Sequence, residues 1–269
     1  MASRTRFITR AALLGLAALL AACAGTKKTE LQYQEQPVEK LYNDASDQLD
    51  RRRWTEAAAG FDEVERQHPY SSWSRRSMLM SAYAKYMGNK YDEAKDAARQ
   101  FISLHPGNEG AAYAYYLIAI CDFEQILDVG RDQSATENAL NSLLEVVRRF
   151  PESEYARDAR LKIDMTYDQL AGKEMEVGRF YEEKDQHLAA INRFKTVVED
   201  PNYQKTTHAP EALHRLVECY LSVGMLDEAQ KSAAVLGYNY PGSEWYQRTY
   251  ALMTAKGMPL AAKPEKKKG

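Results

Sequence analysis

The chain reads as all-α, a right-handed superhelix of five helix pairs, and three observations carry that expectation. Ala45, Ala82 and Ala119 stand 37 residues apart. Pro69 and Pro106 keep the same step, and Pro151, Pro201 and Pro241 close three further segments of similar build. A stride of this size belongs to stacked helix-turn-helix units, none of which buries its apolar face without a neighbour.

The first 22 residues read as a secretory signal. Arg4, Arg6 and Arg10 precede an apolar run from Ala11 to Ala22 that is too short to span a bilayer, and no acid appears before Glu30. The run ends Leu20-Ala21-Ala22-Cys23, which resembles the bacterial lipobox. On that reading Cys23 receives a diacylglycerol and a further acyl chain such as palmitate. Several chains at ~0.8 kcal/mol per buried CH₂ hold a protein durably where one would not. Ala24, rather than Asp, after the Cys resembles an outer-membrane destination in a Gram-negative host. Residues 23–37 carry no apolar periodicity and read as a lipidated tether.

The solenoid is expected over 38–256, each unit following the tetratricopeptide pattern: a small residue where the first helix crosses the second, then Ala-x₃-Phe, then an exit Pro. Unit one supplies Leu41, Ala45, Ala57, Phe61, Val64 and Pro69; unit two supplies Ala82, Ala94, Ala98, Phe101 and Pro106. Unit three has Ala119, Ala139, Leu143, Val146 and Pro151, with eight extra residues enlarging its turn near Leu127–Ser134. Unit four has Gly178, Tyr181, Ala190, Phe194 and Val197; unit five has Leu213, Leu216, Tyr220, Ala229, Ala233 and Leu236. From Ser153 to Lys184 there is no Pro, so one helix of about 48 Å is expected, with Gly172 its weak point. Glu244–Ala255 can form a closing helix, and 257–269, with Lys263 and Lys266–Lys268, reads as a disordered tail.

Composition narrows the chemistry. Removing the signal takes away three arginines and no acid, moving the formal charge from −2 to −5. Acidic and basic residues are interspersed, without the basic stripe of a nucleic-acid binder. Cys121 and Cys219 lie in different repeats and read as small buried hydrophobes. His68 and His105 sit at exit turns without ligand-spaced partners. There is no Gly-rich phosphate loop, His-Glu-x-x-His, Gly-x-Ser-x-Gly or CxxC, so no cofactor or metal is expected and the chain reads as non-enzymatic.

The first helix of each pair lines the inner face of such a stack. Counting from the crossing alanines places Tyr42, Leu79, Tyr83, Tyr86, Tyr113, Tyr116, Ile120 and Phe123 there, with Arg76 and Lys85 nearby. Many peptide-binding repeats line this face with Lys and Asn to clamp a carboxylate; here it is aromatic. Tyr offers a large apolar area with a polar handle at low entropic cost, which suits a groove for an extended segment carrying aromatic side chains. The same tyrosines could instead be core, packed against the next repeat.

Four stretches carry a family resemblance: Leu41-Tyr42-Asn43-Asp44-Ala45, His68-Pro69-Tyr70-Ser71-Ser72-Trp73, Arg131-Asp132, and Phe180-Tyr181-Glu182-Glu183-Lys184. With the lipobox, the enlarged turn and the long helix, they resemble the BamD (ComL/YfiO) family of outer-membrane assembly lipoproteins over roughly 37–256. His187 departs from the family, where an aromatic is common. The resemblance implies a scaffold of the β-barrel assembly (BAM) machinery that docks on the periplasmic POTRA domains of BamA, works beside other BAM lipoproteins, and receives unfolded outer-membrane proteins. Its amino-terminal units would meet a client's carboxy-terminal signal and its later units BamA, through Glu183, Lys184 and Asp185. Two rivals are a lipidated adaptor for peptidoglycan or cell-division enzymes and a lytic transglycosylase on a helical solenoid; the latter needs a catalytic lobe for which no segment is free.

Overall fold

The computed structural model describes residues 35–258. The expected signal 1–22, Cys23, nearly all of the tether and the tail from 259 lie outside the described residues. The described chain holds eleven α-helices and no strand: α1 (Val38–Asp50), α2 (Trp54–Gln67), α3 (Ser72–Met87), α4 (Tyr91–Leu104), α5 (Ala111–Phe123), α6 (Ser134–Arg149), α7 (Glu154–Glu183), α8 (His187–Glu199), α9 (Ala209–Ser222), α10 (Leu226–Asn239) and α11 (Glu244–Ala255). A short 3₁₀ turn at Tyr203–Lys205 precedes α9.

Each helix packs on its predecessor and its successor, and alternate helices α1/α3, α3/α5, α5/α7 and α9/α11 also touch. The sequence pattern dictates this. In α2 the apolar face Ala57, Phe61, Val64 is sealed, and the same holds for Ala94, Ala98, Phe101 in α4 and for Ala190, Phe194, Val197 in α8. Burying a Phe or Leu is worth about 1.5–3 kcal/mol, so these repeated triplets dominate the stacking energy. Ala45, Ala82 and Ala119 are buried at the crossings. A Cβ at Gly60 would stand 2.8 Å from Ala45 Cβ, and one at Gly178 would enter the Phe194 ring, so close approach needs the small residue.

Two kinds of turn alternate. Within pairs, a residue in left-handed conformation ends the first helix: Arg52 (φ 58), Asn89 (φ 58), Asp185 (φ 57) and Gly224 (φ 80). The next N–H returns to the helix, Arg53 to Gln48 O, Lys90 to Lys85 O, Gln186 to Tyr181 O and Met225 to Tyr220 O, at 2.8–3.0 Å. These are Schellman closures. Between pairs, His68, His105, Phe150 and Tyr240 share one conformation (φ −130 to −135, ψ 50 to 56) ahead of a Pro that disfavours helix at the preceding residue. The two histidines thus hold the same place as a Phe and a Tyr. Ser71, Ser153 and Ser243, each two residues past such a Pro, cap the following helix by accepting the N–H of Ser74, Ala156 and Tyr246 at 3.0–3.1 Å.

Helix α7 is unbroken for 30 residues. Gly172 is buried where two other segments cross it: a Cβ there would lie 3.1 Å from His208 Nε2 and 3.4 Å from Val129 Cγ1. The glycine makes room for contacts and does not hinge the helix. The enlarged third turn lies along α7, with Gln169 Nε2 donating to Leu127 O at 2.9 Å and Lys173 Nζ to Gly130 O at 3.2 Å.

Candidate functional site

The inner-face residues are positioned by helix periodicity. On α3, Leu79, Tyr83 and Tyr86 follow at four and three residues and share one stripe. On α5, Tyr113, Tyr116 and Phe123 follow at three and seven residues along one stripe. Leu79, Tyr86 and Tyr113 flank the core of the second pair; Tyr116 and Phe123 flank that of the third. All are half-buried, so each packs part of its side chain and leaves part accessible.

Tyr42 requires a correction. It is 7 % exposed, set edge-on to Phe61 at 5.3 Å and against Trp73 at 4.8 Å between ring centroids. It belongs to the core of the first pair because Trp73, at the start of α3, closes over it. Ile120 is likewise buried. What Tyr42 offers the inner face is its ring surface, over which the Arg76 guanidinium lies at 5.4 Å from the centroid.

The third wall comes from residues that repeat counting missed. Tyr155, near the start of α7, sits 5.6 Å from Tyr113 and 5.2 Å from Tyr116, centroid to centroid. The Tyr116 hydroxyl donates to the Asp158 carboxylate, which also receives Lys162 Nζ at 3.3 Å. The Lys162 ammonium in turn lies 5.2 Å over the Phe123 ring. Repeat counting places the long helix whole in the fourth pair, whereas it packs in two. Its amino-terminal half packs Ala159 and Ile163 into the third pair, and its other half packs Ala171 and Met175 into the fourth. The signal was present in Pro151, which announces a new first helix as Pro69 does for α3.

Burial raises the pKa of the Tyr113 hydroxyl above the usual phenol range, with nearby Tyr83 and Tyr155 adding to the effect. Burial and the hydrogen bond to Asp158 raise that of Tyr116. Both phenols therefore remain neutral at physiological pH, the Tyr116 proton being held by Asp158. The surface combines ring faces with hydroxyl donors, which is what an extended peptide backbone and its aromatic side chains can use.

Glu183, Lys184 and Asp185 are exposed on the within-pair turn. Lys184 Nζ stands 5.9 Å from the centroid of Phe180, a ring that is itself 55 % exposed. Their neighbour Glu182 is turned inward, where it meets Arg215 at 3.4 Å, and burial raises its pKa. Cys121 and Cys219 are buried free thiols, each pushed up to about 12 by burial. His214 is enclosed by Thr249 (2.7 Å), Glu218 (3.5 Å) and Trp245. Among the described residues no cluster of His, Cys, Asp and Glu could hold a metal, and no helix is long and apolar enough to cross a membrane.

Residues 34–236 match the model of the YfiO family, described as an outer membrane lipoprotein. The chain is 58% identical over 260 residues to the outer membrane protein assembly factor BamD of Caulobacter vibrioides, covering 96% of this chain and 84% of that protein. It is 46% identical over 217 residues to the protein of the same name from Rickettsia prowazekii, covering 81% and 86% of the two chains. For that of Neisseria meningitidis serogroup A the identity is 34% over 241 residues, covering 86% and 90%. Among solved structures, the TPR2AB-domain:pHSP90-complex of yeast Sti1 is matched at TM-score 0.43 and 10% identity, covering 81% of this chain and 84% of that one.

Proposed function

The chain belongs to the YfiO family of outer membrane lipoproteins, and from that premise we propose that it is a non-catalytic scaffold of outer-membrane protein assembly. It is held by lipid at Cys23 on the periplasmic face of the outer membrane. The inner face of the first three pairs receives unfolded outer-membrane proteins, and the later pairs hold the POTRA domains of BamA, with Glu183, Lys184 and Asp185 at that contact. One observation carries the client half: Tyr113 and Tyr116 pack with Tyr155, and the half-buried Tyr83 and Tyr86 lie on the neighbouring first helix.

Photoreactive groups at Tyr83 and Tyr116, introduced in the native membrane, are expected to capture unfolded barrel proteins. Capture only from positions on α4 or α10 would sink the groove. Isolation of the native complex is expected to bring down a BamA-sized barrel protein in stoichiometric amount, and reversing Glu183 and Lys184 together is expected to reduce that recovery. Peptidoglycan hydrolases in its place would assign the chain to another adaptor. Stable membrane association of a signal-cleaved Cys23→Ala protein would remove the lipid anchor.

A further inference from the structure

Arg76 occupies the same α3 stripe as Tyr83, seven residues and two helical turns away, with Leu79 between. Its guanidinium rests on the Tyr42 ring, is exposed, and meets no carboxylate among the described residues. This contrasts with the other cations near the inner face. Lys85 binds Asp62 at 3.1 Å, and Lys162 binds Asp158 at 3.3 Å. The inner face therefore ends, at its α1 edge, in one oriented cation without an acid.

Resting on the groove reading above, we infer that Arg76 makes the face selective for extended segments in which an acidic side chain stands two residues from an aromatic one. Side chains two apart in an extended strand lie on one side, about 7 Å from each other. An aromatic ring against Leu79 and Tyr83 then places that acid within the sweep of the Arg76 side chain. A lone guanidinium at a rim suits a side-chain carboxylate. A free chain end is held in such repeats by several Lys and Asn donors from successive helices, and this face presents tyrosines at those places. Tyr42 supports the arrangement from beneath: the ring narrows the positions open to Arg76, so less freedom is lost on pairing.

The test uses fluorescent synthetic peptides with the purified protein. The set comprises a Phe-x-Asp segment, its Phe-x-Asn counterpart, and a Phe-x-Asn peptide ending in a free carboxylate or a carboxamide. Wild type is expected to bind Phe-x-Asp about three- to tenfold tighter than Phe-x-Asn, the gap narrowing with salt. Arg76→Gln is expected to erase the gap, Arg76→Lys to restore part of it, and Arg75→Gln, off the stripe, to keep it. Equal affinities in wild type, a gap that survives Arg76→Gln, or discrimination that follows the terminal carboxylate would overturn the inference. Tyr83→Ala and Tyr116→Ala separate this from the groove itself: if neither weakens any peptide, the groove reading fails, whereas weakening of all peptides without acid discrimination sinks only the Arg76 inference.

Discussion

Single residues in this chain act through two distinct costs, steric crowding and backbone conformation, and two glycines separate them. At Gly178 a methyl group would enter the fully buried Phe194 ring, so Gly178→Ala is expected to destabilise by ~1–3 kcal/mol in urea unfolding despite its higher helix propensity. Gly224 has open space around its Cβ position but φ +80, so Gly224→Ala is expected to cost about 1 kcal/mol through the backbone alone. A neutral Gly178→Ala would mean that the fourth crossing can relax. His214 adds a pH term. Burial lowers its pKa, an effect that the Glu218 charge only partly offsets. The unfolded chain takes up a proton below a pH of about 6.5 while the folded chain resists it, so stability is full above that pH and declines as pH falls toward the folded pKa. The urea midpoint of wild type is expected to drop more between pH 7.5 and 5.5 than that of His214→Gln. Parallel titrations would assign the acid sensitivity to carboxylates instead.

At the scale of elements, α7 is the part on which both halves of the stack depend. Its first half walls the aromatic face through Tyr155 and Asp158, and its second half carries Gly178 and the charged turn. The enlarged third turn and His208 both press on it at Gly172, which makes that point a clamp. Amides around Gly172 are therefore expected to exchange with deuterium as slowly as those near Ala159 and Met175. Fast exchange confined to the middle of the helix would restore the hinge. Much of this was legible in the sequence: the absence of Pro from Ser153 to Lys184, and the eight extra residues in the third turn. Which pair each half of α7 would join was not, because a continuous helix gives no local sign of where its packing partner changes. The serine caps were legible as well, since Pro-x-Ser recurs at Pro69, Pro151 and Pro241.

Across the whole molecule, stability is expected to pass between neighbours because each helix touches chiefly the next. The closing helix α11 covers Leu213 and Leu236 with Tyr246 and seats Met253 against the fourth and fifth pairs. Ending the chain before Pro241 is expected to speed hydrogen exchange throughout α9 and α10 while leaving α1–α5 protected. Uniform loss of protection would instead mark a single cooperative core. The sequence alone determined the stride, the crossing alanines and the exit prolines, because small residues and prolines act on the backbone and its immediate neighbours wherever the chain goes. It also placed aromatic residues on the first helices. Only the tertiary structure decided which of these are surface and which are interior. Tyr42 and Tyr116 each stand three residues before a crossing alanine, yet Trp73 closes over the first while the second stays half-buried, and that difference arises from how adjacent pairs meet.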